Sequence, residues 1–389
     1  MSLVTLNAGS SSLKFAVFSR DGAERRMTGH VDGVGAETAH LTLKQPAGEL
    51  IERTLRRGGS HEGALEAALE MLAEVAGETV HAVGHRIVHG GAQFEEACAI
   101  TPEVEAKLER LVPLAPLHQP HNLAAVATAR RAFPDAVQVA CFDTAFHSRH
   151  SFAADAFALP RRYFDAGVRR YGFHGLSYAF LTAALAGHEG AMPPRAILAH
   201  LGSGASLCAI RDGVSVDTTM GFSALDGLPM ATRCGQIDPG VLLYLMAQEG
   251  IGADALSDLL YRESGLKGLS GTSGDMRAVV KAGTFQAAEA LDYFIARCQR
   301  EIGGLSAMLQ GLDALVFSAG IGEHSPDVRK RICAGLGWLG VELDDGKNAS
   351  AGGAPARISA SGSRVSVWMI PTDEEAVIAS ATAQVLAQA

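Results

Sequence analysis

The chain has 389 residues, 48% of them hydrophobic and 19% charged, which excludes a disordered or low-complexity protein and allows two cores of ordinary domain size. Its 42 acidic and 33 basic residues leave a formal net charge of −9, so a polyanionic partner such as nucleic acid is not expected. No run approaches the ~18 apolar residues that span a bilayer, and no membrane partner is expected either.

The start, Met1-Ser-Leu-Val-Thr-Leu-Asn7, lacks both a basic region and a continuous apolar region, so no secretory leader is expected. Residues 3–18 then read as strand, Gly/Ser turn and strand, closed by Arg20-Asp-Gly22. Residues 62–76 place Leu65, Leu69, Leu72 and Val75 near helical spacing, and 79–88 follow as an apolar strand. Thr101-Pro102 is a helix start, with Thr as N-cap and Pro at the first helical position. Residues 136–142 are a buried-strand run that ends on Asp143. Residues 196–210 repeat the opening pattern of strand, Gly/Ser turn and strand, again closed by Arg211-Asp-Gly213. A long helix is expected within 285–312 and a strand at 314–318 running into a Gly320-Ile-Gly322 turn, after which Ser325-Pro326 starts another helix. Residues 346–364 read as a mobile Gly/Ala/Ser-rich loop before a last strand at 365–370. The alternation argues an α/β class, and the two similar hairpins half a chain apart argue a duplicated architecture with a central cleft. Six cysteines, none at zinc-knuckle or C-x-x-C spacing, suit reduced thiols and a cytoplasmic address.

Three Gly-rich turns follow strands: Asn7-Ala-Gly-Ser-Ser-Ser12, Gly202-Ser-Gly204 and Gly320-Ile-Gly322. Glycine lets the backbone approach closely, and exposed N–H groups and hydroxyls there can cradle phosphate oxygens, with Lys14 just after the first turn. No G-x-x-x-x-G-K-[ST] is present, and Leu207 stands where a dinucleotide fingerprint wants its third Gly. His81, His85 and His89 recur every four residues, but on a strand and turn that period builds no metal site, so they read as structural. Arg86 lies in the same apolar run and is costly to bury alone, which implies a salt-bridge partner or an anionic ligand. Asp143 ends a strand, where residues commonly feed an α/β cleft, although an N-cap is the plainer reading.

Seven motifs in order, Asn7-Ala-Gly-Ser-Ser-Ser-Leu-Lys14, Gly84-His-Arg-Ile-Val-His-Gly-Gly91, Phe142-Asp-Thr-Ala-Phe-His147, Arg169-Arg-Tyr-Gly-Phe-His-Gly175, His200-Leu-Gly-x-Gly-Ala-Ser206, Val216-Asp-Thr-Thr-Met-Gly-Phe222 and Gly320-Ile-Gly-Glu323, resemble those of the acetate kinases over essentially the whole chain. The resemblance implies a duplicated two-domain actin-like ATPase fold, with mixed sheets flanked by helices. Its halves would be 1–147 plus 375–389, and 148–374 with the nucleotide-binding motifs. It also implies a homodimer, domain closure, and reversible phosphoryl transfer from ATP to acetate or another short-chain carboxylate. By motif, Arg86 would bind the acyl carboxylate, Asp143 would be the essential aspartate, and His174 and Arg233 would stabilise the phosphoryl group in flight. Val88, Leu117, Phe173 and Ala224 would line the acyl pocket. Lys14, His200, Leu201, Gly202, Ser203 and Gly204 would contact phosphates, while Asp275, Met276, Arg277, Gly320, Ile321, Gly322, Glu323 and His324 would form the adenosine pocket. Asn7 and Glu374 would hold Mg²⁺, with Mn²⁺ as the alternative ion. Glu374 is preferred to Glu375 because Thr372-Asp-Glu-Glu375 reads as a capping box that would occupy Glu375.

The chemistry expected of such a site follows from charge. A carboxylic acid of pKa near ~4 to 5 is already ionised, so no base is needed and the task is to bring two anions together. Asp143 therefore reads as an organiser of Mg²⁺ and Arg rather than a proton acceptor. Departures from the family pattern are Ser203 for Asn, Tyr178 for His, His324 for Asn and Ala224 for Pro. The last would loosen the acyl pocket enough to admit propionate. A butyrate kinase, or a non-catalytic nucleotide switch of the actin or heat-shock type, are the competing readings.

Overall fold

The computed structural model describes residues 2–9, 12–34, 38–45, 48–56, 61–76, 79–116 and 118–388. The chain divides into two units, Met1–Ser148 with Asp373–Ala389, and Arg149–Thr372. Among the described residues no helix is long and apolar enough to cross a membrane.

The first unit is built on β1 (Ser2–Ala8), β2 (Ser12–Ser19), β3 (Arg25–Asp32), β4 (Thr38–Lys44), β5 (Leu50–Arg56), β6 (Val80–Ile87), β7 (Cys98–Ala99) and β8 (Val137–Phe142), in the sheet order β5-β4-β3-β2-β1-β6-β8-β7. The hairpin expected at the start is present, with Asn7 opposite Lys14. Strands β1, β6 and β8 run parallel. Helix His61–Ala76 buries Leu65, Leu69 and Leu72 with Phe15, Leu41 and Leu43 from the sheet; each such side chain contributes about 1.5–3 kcal/mol of burial. The other face is covered by helix Glu374–Gln388, whose Ala379 packs with Leu3, Phe18 and Ala82. That approach requires Gly84 on β6, because a Cβ there would lie 2.2 Å from Thr382 Oγ1 and 2.6 Å from Ile378 Cγ2.

The second unit repeats the scheme with β9 (Arg195–Leu201), β10 (Ala205–Arg211), β11 (Val214–Thr218), β12 (Ala314–Ser318), β13 (Ala356–Arg357) and β14 (Ser366–Met369), ordered β11-β10-β9-β12-β14-β13. In each unit an antiparallel meander feeds two strands parallel to its first: β3-β2-β1-β6-β8 in one and β11-β10-β9-β12-β14 in the other. Helix Phe285–Leu309 buries Leu291, Phe294, Ile295, Cys298, Ile302 and Leu305 at helical spacing and ends where Gln310 adopts a left-handed φ of 61°.

Two expectations fail. Residues 346–364 are not one loop: helix Asp345–Ser350 and β13 lie within or beside them. The Asp344 carboxylate caps that helix by accepting from Lys347 N, and buried Asn348 accepts from Arg329 Nε at 2.7 Å, so polar capping outweighs the Gly/Ala/Ser composition. Gly320-Ile-Gly322 is not an open turn but part of helix Ala319–His324. Ala319 turns the chain with a φ of 63°, and its N–H is met by Glu323 Oε1 at 2.8 Å.

Candidate active site

The parallel strands of the first unit deliver polar groups to one edge of the sheet, the carboxyl ends where α/β sheets carry ligands. Asn7 lies near the end of β1, Arg86 near the end of β6, and Asp143 directly after β8. Arg86 grips Asp143 with two nitrogens: Nε donates to Oδ1 at 3.0 Å and Nη2 to Oδ2 at 2.6 Å. Its Nη1 donates to Asn7 Oδ1 at 3.3 Å. The Asn7 amide in turn donates to Glu374 Oε2 at 2.7 Å and Glu375 Oε1 at 3.1 Å. Asp143 is thus an ion-pair partner rather than an N-cap.

Burial pushes the Asp143 carboxyl up from its ordinary value, against the pull of Arg86. Desolvation also opposes the Arg86 charge, but Asp143, Glu374 and Glu375 together hold the guanidinium above its ordinary value. Burial likewise raises Glu375, against the nearby Lys14. Three carboxylates therefore face two cations across a set of oxygen donors, the ligand chemistry that Mg²⁺ selects. No group of three or more His, Cys, Asp or Glu among the described residues is arranged to hold a metal by itself. Mg²⁺ needs only one or two carboxylates beside water and phosphate oxygens, so Asn7 and Glu374 fit it.

The capping box predicted at Thr372 to Glu375 is not formed. Asp373 Oδ1 accepts from Ala376 N at 3.0 Å, while the Thr372 hydroxyl bonds to Ser177 Oγ at 2.9 Å. Glu375 is thereby left to bond Asn7 beside Glu374, because Asp373, directly before helix Glu374–Gln388, occupies the N-cap position in place of Thr372. The histidines of the β6 region are structural in kind: burial pushes His85 and His89 down to about 4, and His85 Nε2 pairs with Gln138 Oε1 at 2.8 Å.

In the second unit the corresponding strand ends carry His200 to Gly204, helix Ala319–His324 and Thr372. His174 stands before helix Gly175–Glu189 with a left-handed φ of 58°, uncommon for a side chain other than glycine and costing on the order of 1–3 kcal/mol. The strain is held by main-chain bonds from Tyr171 and Gly172 to Gly221 O and by the Arg170–Asp226 ion pair. The His174 ring stacks on His200 with centroids 4.1 Å apart. His174 Nδ1 lies 2.8 Å from Ser206 Oγ, and His200 Nδ1 lies 2.8 Å from Ser177 Oγ.

Arg233 reaches the same place from another loop, anchored by Nη1 donating to Ala224 O at 3.2 Å. The loop is held by helix Gly265–Ser270, whose Leu266 and Lys267 N–H groups donate to Met230 and Ala231 carbonyls. A Cβ built on Gly204 would stand 3.3 Å from His174 Nε2 and 3.9 Å from Arg233 Nη1. The missing side chain therefore leaves a space bordered by an imidazole and a guanidinium, a cradle for an anion.

Beside it lies a cavity of about 490 Å³. Gly202, Ser203, Asp275, Met276 and Arg277 line one part, and Gly320, Ile321 and His324 another. Asp275 is fixed there as the N-cap of helix Met276–Ala282. Ala231, Gly274 and Ser325 complete the lining and were not singled out from the sequence. Their signal was weak: small residues lacking charge, near in space only because Ala231 N bonds Ser203 O. Leu201 is instead a core residue, and Gly322 is buried within its helix. The Glu323 carboxylate accepts from Ala319 and Thr372 N–H groups. Val88 is buried in the first unit, Phe173 and half-buried Ala224 belong to the second, and Leu117 lies outside the described residues.

The sequence pattern of the acetokinase family matches residues 2–380. An acetate kinase of Methylocella silvestris is 49% identical, over 99% of this chain and 98% of its own. The crystal structure of Porphyromonas gingivalis acetate kinase superposes with a TM-score of 0.88 at 37% identity, over 99% of both chains. A propionate kinase structure from Francisella tularensis gives 0.91 at 33% identity, over 98% of this chain and 99% of its own. The two mixed sheets flanked by helices are the actin-like ATPase fold.

Proposed function

The chain belongs to the acetokinase family and is a kinase, and from that premise we propose that it moves the γ-phosphoryl group of ATP reversibly to acetate, and accepts propionate as well. The observation that carries this reading is the pairing of His174 Nε2 and Arg233 Nη1 about Gly204, next to the 490 Å³ cavity. In the transfer a carboxylate oxygen forms a bond to the γ-phosphorus as the bond to the bridging β–γ oxygen breaks, and ADP leaves with that electron pair. No proton need move. His174 and Arg233 neutralise the equatorial oxygens, Arg86 orients the carboxylate with its outer N–H edge, and Asp143 holds that guanidinium in place. Lys14, His200, Gly202, Ser203 and Gly204 contact phosphates, and the cavity takes the adenosine. Mg²⁺, or Mn²⁺ in its place, would be held by Asn7 and Glu374 and would supply charge neutralisation on the phosphates.

Hydroxamate trapping of the product tests the assignment. ATP with acetate should give acyl phosphate, and propionate should follow with a kcat/KM within a hundredfold, since one methylene is worth only ~1 to 3 kcal/mol of discrimination. Product with butyrate alone, or with no acid, would overturn the proposal. A second expected result concerns the cradle. Gly204→Ala would place a methyl between the two donors and lower kcat by about 100-fold or more, as loss of an anion-stabilising donor does, with little change in the thermal midpoint. Unaltered turnover would remove the cradle from the mechanism.

A homodimer and a cytoplasmic setting complete the reading. Helix Pro239–Glu249 buries none of its residues and leaves Leu243 69% and Tyr244 62% exposed, a surface that a second copy would cover. All six cysteines are free thiols, as a reducing compartment keeps them.

A further inference from the structure

Ser206, fully buried on β10, has two polar neighbours for its hydroxyl: His174 Nδ1 at 2.8 Å and the Tyr178 hydroxyl. A hydroxyl carries one proton, so in a directed chain it donates to one neighbour and accepts from the other. The direction decides which nitrogen of His174 bears hydrogen, and hence whether Nε2 meets an anion as donor or as acceptor.

An anion beside Gly204 calls for a donor at Nε2, which leaves Nδ1 to accept the Ser206 proton and Ser206 Oγ to accept the proton of the Tyr178 hydroxyl. Burial raises the Tyr178 pKa well above that of an ordinary phenol, so the phenol keeps the proton it donates. We propose that Tyr178 is a positioning residue that acts through Ser206 to hold His174 with Nδ1 as acceptor and its proton on Nε2, aimed at the space beside Gly204.

This rests on the assignment of His174 to the transferring phosphoryl group. An N–H at Nε2 donates to a phosphoryl oxygen, whereas a lone pair there repels it. The groups facing the ring are His200, stacked on it, Arg233 across Gly204, and Ser206 behind it. Position 178 is also where the family resemblance leads to a histidine. That residue donates or accepts according to pH, whereas the phenol of Tyr178 remains a donor.

Nitrogen-15 spectra of the full chain labelled at histidine test this, with His174 assigned by its loss in His174→Gln. The wild-type chain is expected to show a protonated Nε2 and a bare Nδ1 at neutral pH; a protonated Nδ1 overturns the proposal. In Tyr178→Phe both tautomers should appear, and kcat should fall about tenfold while KM for acetate and ATP stays within about twofold. Unchanged tautomer populations in that variant would also overturn it, and the wild-type spectrum decides even where Tyr178→Phe does not fold. A wild-type enzyme that forms no acyl phosphate would remove the kinase reading while leaving the tautomer to be judged from its own signals.

Discussion

Replacing Arg233 with alanine is expected to lower kcat by about 100- to 1,000-fold, the usual cost of removing one donor from a site that stabilises developing charge. The side chain is held to its own loop through Ala224 O and sits 3.9 Å from a Cβ position on Gly204, so its loss deletes a charge beside the proposed phosphoryl site and little of the core. KM for ATP should change much less than kcat, because the interaction matters most as charge shifts in the transition state. Steady-state kinetics with both substrates varied checks this. A variant with normal kcat and a raised KM for ATP would make Arg233 a ground-state binding group instead.

Arg86→Ala is expected to act twice. KM for acetate should rise more than tenfold while KM for ATP stays within about twofold, since a guanidinium matches a carboxylate in a way that no neighbouring side chain can replace. Equal rises in both would contradict the assigned role. The second effect comes from the fold: Asp143 is buried against Arg86, and removing one partner of such a pair costs about 3–5 kcal/mol because the other charge is stranded. Denaturant unfolding should therefore show a large loss of stability in Arg86→Ala. Arg86→Ala with Asp143→Asn should recover part of it, because the stranded charge is gone. A single variant as stable as the wild-type protein would mean that the pair is dispensable to the fold.

Much of this was legible in the sequence because the informative residues sit on regular elements. The hairpin at 196–210, the strand ending on Asp143 and the helix within 285–312 all announce themselves by periodicity or by turn residues, and the structure has them. The need of Arg86 for a partner was also visible, since a lone guanidinium in an apolar strand is costly, but the identity of that partner was not. Asp143 meets Arg86 only because β6 and β8 pair in parallel, a long-range register that no local pattern encodes. The same holds for Gly265 to Ser270, which brace the Arg233 loop through main-chain bonds and so leave no side-chain signature. Capping misled at Thr372, where Asp373 takes the helix N–H instead, and the cap at Asp344 was hidden by the Gly/Ala/Ser composition that follows it. The butyrate and switch readings find no support among the acetate and propionate kinases that the chain matches.

The helix Glu374–Gln388 lies beyond the whole of the second unit in sequence, yet it packs on β1, β6 and β8 and brings Glu374 and Glu375 to Asn7. On a ribosome, the second unit has all of its chain available before that helix has been made. The first unit must wait with one sheet face uncovered, Gly84 without its neighbours and Asn7 without its carboxylates. The corner that would take the metal is thus assembled last. A chain interrupted before residue 373 would carry the complete lining of the 490 Å³ cavity but no finished first core, which ties the appearance of activity to completion of the polypeptide.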